Sequence, residues 1–343
     1  MFNVSVSSAV NGAIKLGATI SVDGHIPGMN HRVQTHLHAD HMENLRDSYS
    51  GHIYMSDSSR AYLNERWAHF EMLYRVKDFK LPGIFEVEDN QVTILDSRHM
   101  LGAVQVSVRD GSDRTFGYSG DFSWPLDETI KVQELVVDGT CGSPNSQPTY
   151  SQMDVDEHFV NLIEKELTSG PVLIRAVHGT MERALQCLLG VNTGKIIVPD
   201  SLLKYRPVYA RFGTVFPPDL VSATSEEGRQ IAQTKRYLKL IPGNPNIHLE
   251  QPFEGKTVVC TGFNPHPEQP VQSHGINEFR VSITNHADLS GTLKFIESTG
   301  AEKVVVDASR LNTIRHATEI AEIIQDSLHI QAVSSDKLNG NIA

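Results

Sequence analysis

Short apolar runs rich in β-branched residues, several alternating with polar positions, recur through the first part of the chain: "ATISVDG", "GHIYMS", "FEVEDNQVTILDS", "AVQVSVRDG" and "RTFGYSGD". Period-two alternation bounded by Gly, Asp and Ser predicts successive strands joined by turns. Between "HADHMENLRD" and "GHIYMS" there is room for a short helix, and "DSSRAYLNERWAHF" carries an Asp N-cap signal ahead of a helical pattern. From about residue 150 the pattern changes. "DEHFVNLIEKELTSG" reads as an amphipathic helix, "PVLIRAV" as a buried strand, "TMERALQCLLG" as a helix ending at Gly190 and "GKIIVPD" as another buried strand. Strand, helix, strand in that order has parallel-sheet character. "IPGNPNIHLEQPFEG" is a loop by its Pro, Gly and Asn, and "KTVVCTG" restarts a strand. "FRVSITNHADLSGTLKFIESTGAEKVVVDASR" then predicts strand, turn, helix and strand, "NTIRHATEIAEIIQDSL" a last helix, and "SSDKLNGNIA" a loosely held polar tail.

Length and composition narrow the picture only slightly. A chain of 343 residues is expected to form one large domain or two. Its 39% hydrophobic and 21% charged residues are those of an ordinary globular protein, and no apolar run approaches the roughly 18 residues of a membrane span. "MFNVSVSSAVNGAIKLG" lacks the basic stretch and apolar core of a signal peptide, so a cytoplasmic location is the expectation. Cys141, Cys187 and Cys260 make neither a disulfide framework nor a Cys-x-x-Cys zinc knuckle, which leaves His and Asp to hold any metal. The formal net charge of −11 argues against nonspecific polyanion binding by the whole surface. Residues 195–240 run the other way, with eight Lys or Arg against four acids. That segment is either a solvated face or a phosphate-tracking surface.

The stretch "THLHADH" places three histidines and an aspartate in one turn after a strand, spaced His-x-His-x-Asp-His. Alternation points His36 and His38 the same way, while Asp40 and His41 can turn toward a neighbouring point. Two divalent ions about 3.5–4 Å apart could share such a turn, and imidazole with carboxylate suits Zn, Mn or Fe better than Ca or Mg. Further donors fall at strand ends: His99 in "SRHMLGAVQV", Asp121 in "YSGD", His286 in "TNHADLSG" and Asp307 in "VVVDAS".

Taken together, "THLHADH", "SRHMLGAVQV", "FGYSGDF", "ELVVDGTCGSP" and "VSITNHADLSGTLKFIESTGAEKVVV" resemble the β-CASP branch of the metallo-β-lactamase fold. That branch includes RNase J, the pre-mRNA 3′-end endonuclease, Artemis and the ligase-associated exonucleases. The resemblance implies an α/β fold, an αββα metallo-β-lactamase sandwich interrupted by a smaller β-CASP-like α/β insertion domain. The implied boundaries are 1–143 for the first part of the sandwich, 144–275 for the insertion, 276–334 for the returning segment and last helix, and 335–343 for the tail. Inside the insertion, the family's glycine-arginine signature after "VLIRA" is replaced by "VHGTMERA".

Residue by residue, the resemblance gives His36, His38 and His99 to one metal and Asp40 and His41 to a second, with Asp121 bridging. His286 becomes a general acid oriented by Asp138, a pairing whose physical logic holds because a carboxylate raises an imidazole pKa and fixes its tautomer. Asp138 could equally be an ordinary strand-end turn residue. RNA-acting members carry a metal-binding His where this chain has Asp307, and a carboxylate can replace it, so Asp307 is expected to complete the second site.

The implied activity is phosphodiester hydrolysis of DNA or RNA, with two Zn or Mn ions as cofactors and single-stranded nucleic acid as the expected partner. Lys204, Arg206 and Arg211 would hold its backbone, and His178 either faces the same groove or serves as a cap. Self-association into a homodimer is left open. Two alternatives stand: a dinuclear hydrolase of a small ester, lactone or cyclic phosphodiester, which the acidic charge favours, and a non-catalytic nucleic-acid-binding relative.

Overall fold

The computed structural model describes residues 2–7, 12–45, 51–67, 75–145, 147–243, 253–263, 265–309 and 316–339. Six strands come first: β1 (Val4–Ser7), β2 (Ala13–Leu16), β3 (Ile20–Val22), β4 (His31–Val33), β5 (His52–Ser56) and β6 (Val76–Phe79), side by side in chain order. β1 to β3 pair antiparallel and β3 to β6 parallel. Helix α1 (Asp57–Arg66) leaves β5. Its cap is Ser56 rather than the expected aspartate: the Ser56 hydroxyl accepts from the backbone N–H of Ser59, and Asp57 occupies the first turn, where its charge suits the helix dipole. Residues 42–45 before β5 form a turn, and the rest of the expected short helix lies outside the described residues.

A second sheet begins with β7 (Gly83–Val87), β8 (Asn90–Asp96), β9 (Val104–Arg109) and β10 (Thr115–Tyr118), antiparallel throughout, and continues with β11 (Glu134–Val137), parallel to β10.

The chain then forms a separate unit over residues 146–285. It contains α2 (Gln152–Ser169), β12 (Val172–Ala176), α3 (Thr180–Cys187), β13 (Ile196–Val198), α4 (Asp200–Arg211), β14 (Leu220–Ser222), α5 (Glu226–Ile231), β15 (Leu238–Pro242), β16 (Lys256–Cys260), β17 (Val271–His274) and β18 (Glu278–Val281). The sheet order is β14-β13-β15-β12-β16-β18-β17, parallel except for edge strand β17. The strand "FRV", which the sequence pattern groups with the returning segment, pairs here instead. β18 lies parallel to β16 and antiparallel to β17, so the chain rejoins the first unit at His286 rather than near 276. Most of the loop "IPGNPNIHLEQPFEG" lies outside the described residues.

From His286 the chain adds α6 (Leu289–Thr299), β19 (Lys303–Val306), α7 (Ala317–Leu328), β20 (Gln331–Ser334) and α8 (Ser335–Asn339) to the first unit. β19 and β20 complete the second sheet in the order β20-β19-β11-β10-β9-β8-β7. The expected loose tail is in part ordered: Ala308 N–H donates to Ser335 Oγ at 2.9 Å, and Leu338 packs on the core.

Among the described residues, two apolar layers hold this first unit. One is shared by the two sheets and includes Ile14, Val33 and Tyr54 from the first with Val92, Phe116 and Val136 from the second. The other lies on the far face of the second sheet, where Leu135, Val137, Val304 and Val306 meet Phe295, Ile296, Ile320 and Ile324 of α6 and α7. Alternate residues of β11 and β19 thus enter opposite layers, which is why "ELVV" and "KVVV" read as unbroken apolar runs. Among the described residues, no helix is long and apolar enough to cross a membrane.

Candidate metal centre

Strand direction gathers the chemistry at one edge. β8 runs parallel to β10 across the antiparallel β9, and β10, β11 and β19 are parallel. The segments leaving their carboxyl ends carry His99, Asp121, Asp138 and Asp307. In the first sheet, β3 and β4 are parallel and lead into Asp23 and "THLHADH".

Within that turn, Leu37 is buried while His36 and His38 converge, Nε2 to Nδ1, at 3.2 Å. His99 Nε2 lies 3.1 Å from His38 Nδ1, and Asp121 Oδ2 lies 3.6 Å from His36 Nε2 and 3.5 Å from His99 Nε2. A tetrahedral ion with bonds of about 2.0–2.1 Å needs donors roughly 3.3–3.4 Å apart, so three imidazoles and one carboxylate have the spacing of a metal cage. The other oxygen of Asp121, Oδ1, faces His41 Nε2 at 3.3 Å, and Asp40 Oδ2 reaches the same nitrogen at 3.8 Å. Asp121 therefore presents one oxygen to each half of the cluster. This donor set, all His and Asp and mostly buried, fits divalent metal ions.

Burial pushes the His36 imidazole well below its usual range, and the charges of His41, His99 and His38 add to that against the pull of Asp121. That shift favours the neutral imidazole, the form that offers a lone pair. Burial works the other way on Asp121, but the adjacent His41 and His36 outweigh it and hold its carboxyl well below the carboxylate range. Gly120, before Asp121, has φ +56°, and a Cβ there would sit 2.5 Å from the Val104 carbonyl oxygen, so glycine is required where the chain turns toward the cluster. The loop carrying His99 is tied to α1, since the hydroxyls of Ser56 and Ser59 both donate to the Gly102 carbonyl, at 2.7 and 3.1 Å.

His286 joins the cluster from the turn before α6. Its Nδ1 donates to Asp138 Oδ2 at 3.0 Å and its Nε2 lies 3.9 Å from Asp121 Oδ2. Burial disfavours its imidazolium, yet the Asp138 hydrogen bond and the charges of Asp121 and Asp138 raise its pKa above the ordinary histidine value. Asp138 Oδ1 meanwhile accepts from the Thr140 N–H and hydroxyl, so this residue both builds its turn and orients His286. Asp307 sits beside it, one residue past the paired Val137 and Val306, and repeats the turn: its Oδ1 accepts from the Ser309 N–H at 2.8 Å and hydroxyl at 2.6 Å. Neither Asp307 nor Asp40 belongs to the three groups of donors that approach within 4.8 Å of one another.

Three buried residues of this region are missed by sequence reasoning. Asp23 accepts from the Thr35 N–H at 2.7 Å, from Gln34 Nε2 at 3.0 Å and from His41 Nδ1 at 2.7 Å, which leaves His41 Nε2 facing Asp121. Arg32 and Gln34 lie beneath the turn. In sequence all three read as ordinary strand or turn positions, and no spacing marks them.

The basic and capping candidates belong to the second unit. Lys204 and Arg211 are exposed on α4, seven residues apart and so on one face, while Arg206 donates to the Pro218 carbonyl at 3.4 Å. His178 Nδ1 pairs with Glu182 Oε1 at 2.6 Å at the start of α3, where Glu182 Oε2 accepts the Gly179 N–H.

No family model matches the chain. It is 30% identical over 120 residues to the "Uncharacterized protein in lig 3′region" of Acidianus ambivalens, a match covering 34% of this chain and 85% of that protein. It is 24% identical over 224 residues to the "Cleavage and polyadenylation specificity factor subunit 3" of Dictyostelium discoideum, covering 56% of this chain and 27% of that much longer protein. Among solved structures, a protein of unknown function from Enterococcus faecalis V583 shares the fold with a TM-score of 0.56 at 14% identity, over 85% of this chain and 77% of that one. The match to most of the Acidianus ambivalens protein places this chain in the same family as that protein.

Proposed function

We propose that the protein is a metal-dependent phosphodiesterase of the β-CASP branch of the metallo-β-lactamase fold, acting on DNA or RNA. The observation that carries this reading is His286, held by Asp138 at 3.0 Å with its other nitrogen toward Asp121, beside a cluster of His and Asp. A departing alkoxide must be protonated, and an imidazole oriented independently of the metal donors is placed to do it. The similarity to the Dictyostelium discoideum polyadenylation-factor subunit supports the nucleic-acid substrate class.

In this reading His36, His38, His99 and Asp121 hold one ion, and Asp121, His41 and Asp40 a second, with Asp307 the candidate to complete it. When bound, Zn or Mn supplies Lewis-acid polarisation of the phosphoryl group and lowers the pKa of water. The chain's own residues do the rest. Asp138 fixes the His286 tautomer and keeps a proton at Nε2, which is delivered to the leaving oxygen. Lys204 and Arg211 contact the backbone of a bound strand.

The test is digestion of end-labelled single- and double-stranded DNA and RNA with Mn²⁺ or Zn²⁺, with chelated protein as the blank. His286→Ala should cut turnover by about 10²–10⁴-fold with metal content unchanged. Loss of metal in that variant would make His286 a ligand and overturn its assigned role. Turnover of a generic ester with no nucleic acid cleaved would favour the small-ester hydrolase that the net charge of −11 admits.

A further inference from the structure

Arg32 is fully buried in the middle of β4, a position where a parallel strand normally carries an apolar side chain. Val33, its neighbour, enters the core between the sheets, so Arg32 and Gln34 project to the other side, beneath the metal-binding turn. The guanidinium spends its donors on that turn. Nη1 donates to the Glu43 carbonyl at 2.8 Å, and Nη2 to the His41 carbonyl at 3.1 Å and to Gln34 Oε1 at 2.7 Å. Gln34 Nε2 in turn donates to the carbonyls of His36 at 2.6 Å and His41 at 3.0 Å and to Asp23 Oδ1 at 3.0 Å. The first and last histidines of the motif are thus drawn together by one amide, and the segment beyond it is pinned by one guanidinium.

We infer that Arg32, acting with Gln34, is a positioning residue for the half of the centre formed by Asp40 and His41, and that it sets the affinity of the second metal ion. The inference rests on the dinuclear reading above. The Arg32 contacts fall on one half alone, the carbonyls of His41 and Glu43. His38 and His99 belong to the first ion and meet each other at 3.1 Å, whereas His41 is held twice from below, by Arg32 and Gln34, and once from the side through Asp23. A buried cation near a cation site opposes metal binding by charge alone. Templating and electrostatics therefore predict opposite signs for its removal.

The experiment counts metal on the full-length chain by equilibrium dialysis against Zn²⁺ and, separately, Mn²⁺, with elemental analysis. Wild type should bind two ions. Arg32→Met should keep the first and bind the second at least tenfold more weakly. Arg32→Lys, which keeps the charge but cannot fork to two carbonyls, should show the same selective loss. Far-UV circular dichroism identifies any variant that fails to fold; Arg32→Lys, the milder change, then carries the test. Gln34→Met, which cuts the His36 as well as the His41 carbonyl contact, should weaken binding of both ions. Two ions bound as tightly as in wild type, or more tightly, in the folded variants would overturn the proposal. So would wild-type affinity in Arg32→Lys, since the forked donation to two carbonyls would then not be needed. A wild-type chain that takes up a single ion overturns the dinuclear reading itself, and the proposal with it.

Discussion

His286 and Asp138 stand 148 positions apart in the chain and meet at 3.0 Å. One oxygen of Asp138 is committed to Thr140 and the other to His286 Nδ1, so the carboxylate is fixed before it fixes the imidazole. This arrangement carries a pH signature. Despite burial, the two carboxylates raise the His286 pKa, so its acid form persists to higher pH than a free histidine would allow. A reaction that needs the protonated form keeps its rate up to that raised pKa and loses it above. In Asp138→Asn the charge is gone, the pKa falls, and the alkaline limb of the pH–rate profile should move to lower pH while metal content stays the same. An alkaline limb that does not move would remove His286 from the role of proton donor. At this same scale the motif "THLHADH" was legible because its donors are local in sequence, whereas Asp23, Arg32 and Gln34 were not. A buried Arg or Gln announces its role only through the carbonyls it meets.

At the level of elements, the site is an edge effect: parallel strands β10, β11 and β19 end together, and each hands an aspartate to the same rim. What keeps those ends level is the layer beneath them. Phe295 of α6 is fully buried, its ring 4.5 Å from that of Phe122, which follows Asp121 directly. Phe295→Ala should cost about 3–5 kcal/mol in urea unfolding monitored by circular dichroism. A loss within about 0.5 kcal/mol would mean that α6 does not brace the rim. Many of the strands and helices were readable from periodicity, but β1, β6, α4, β14, α5, β15 and β20 were not predicted, being short or lacking a clear apolar period. Boundaries that depend on partners also failed: Ser56 replaced the expected Asp cap, "FRV" paired within the second unit, and the polar tail gained a strand-end anchor through Ser335.

Over the whole molecule, a net charge of −11 must be reconciled with a polyanionic substrate. Bound cations would neutralise the Asp-rich rim, and the locally basic segment of the second unit offers Lys204 and Arg211 on one face of α4. Replacing both with Ala should weaken binding of a fluorescent single-stranded oligonucleotide and lower the slope of log K against log salt by about 1–2, with the metal count untouched. An unchanged salt slope would show that α4 is only a solvated face.

The chemistry on offer is written in the chain. Donor types at His-x-His-x-Asp-His spacing, with His and Asp at successive strand ends, restrict the centre to divalent-metal chemistry, because ligand identity and local spacing are properties of the chain. How those donors are shared follows from the fold. It turned the two oxygens of Asp121 toward different histidines, set His286 on Asp138, tied the Asp307 Oδ1 to its own turn, and put Arg32 under the motif. Each of those outcomes depends on strand order and register, which bring together residues that no sequence interval relates.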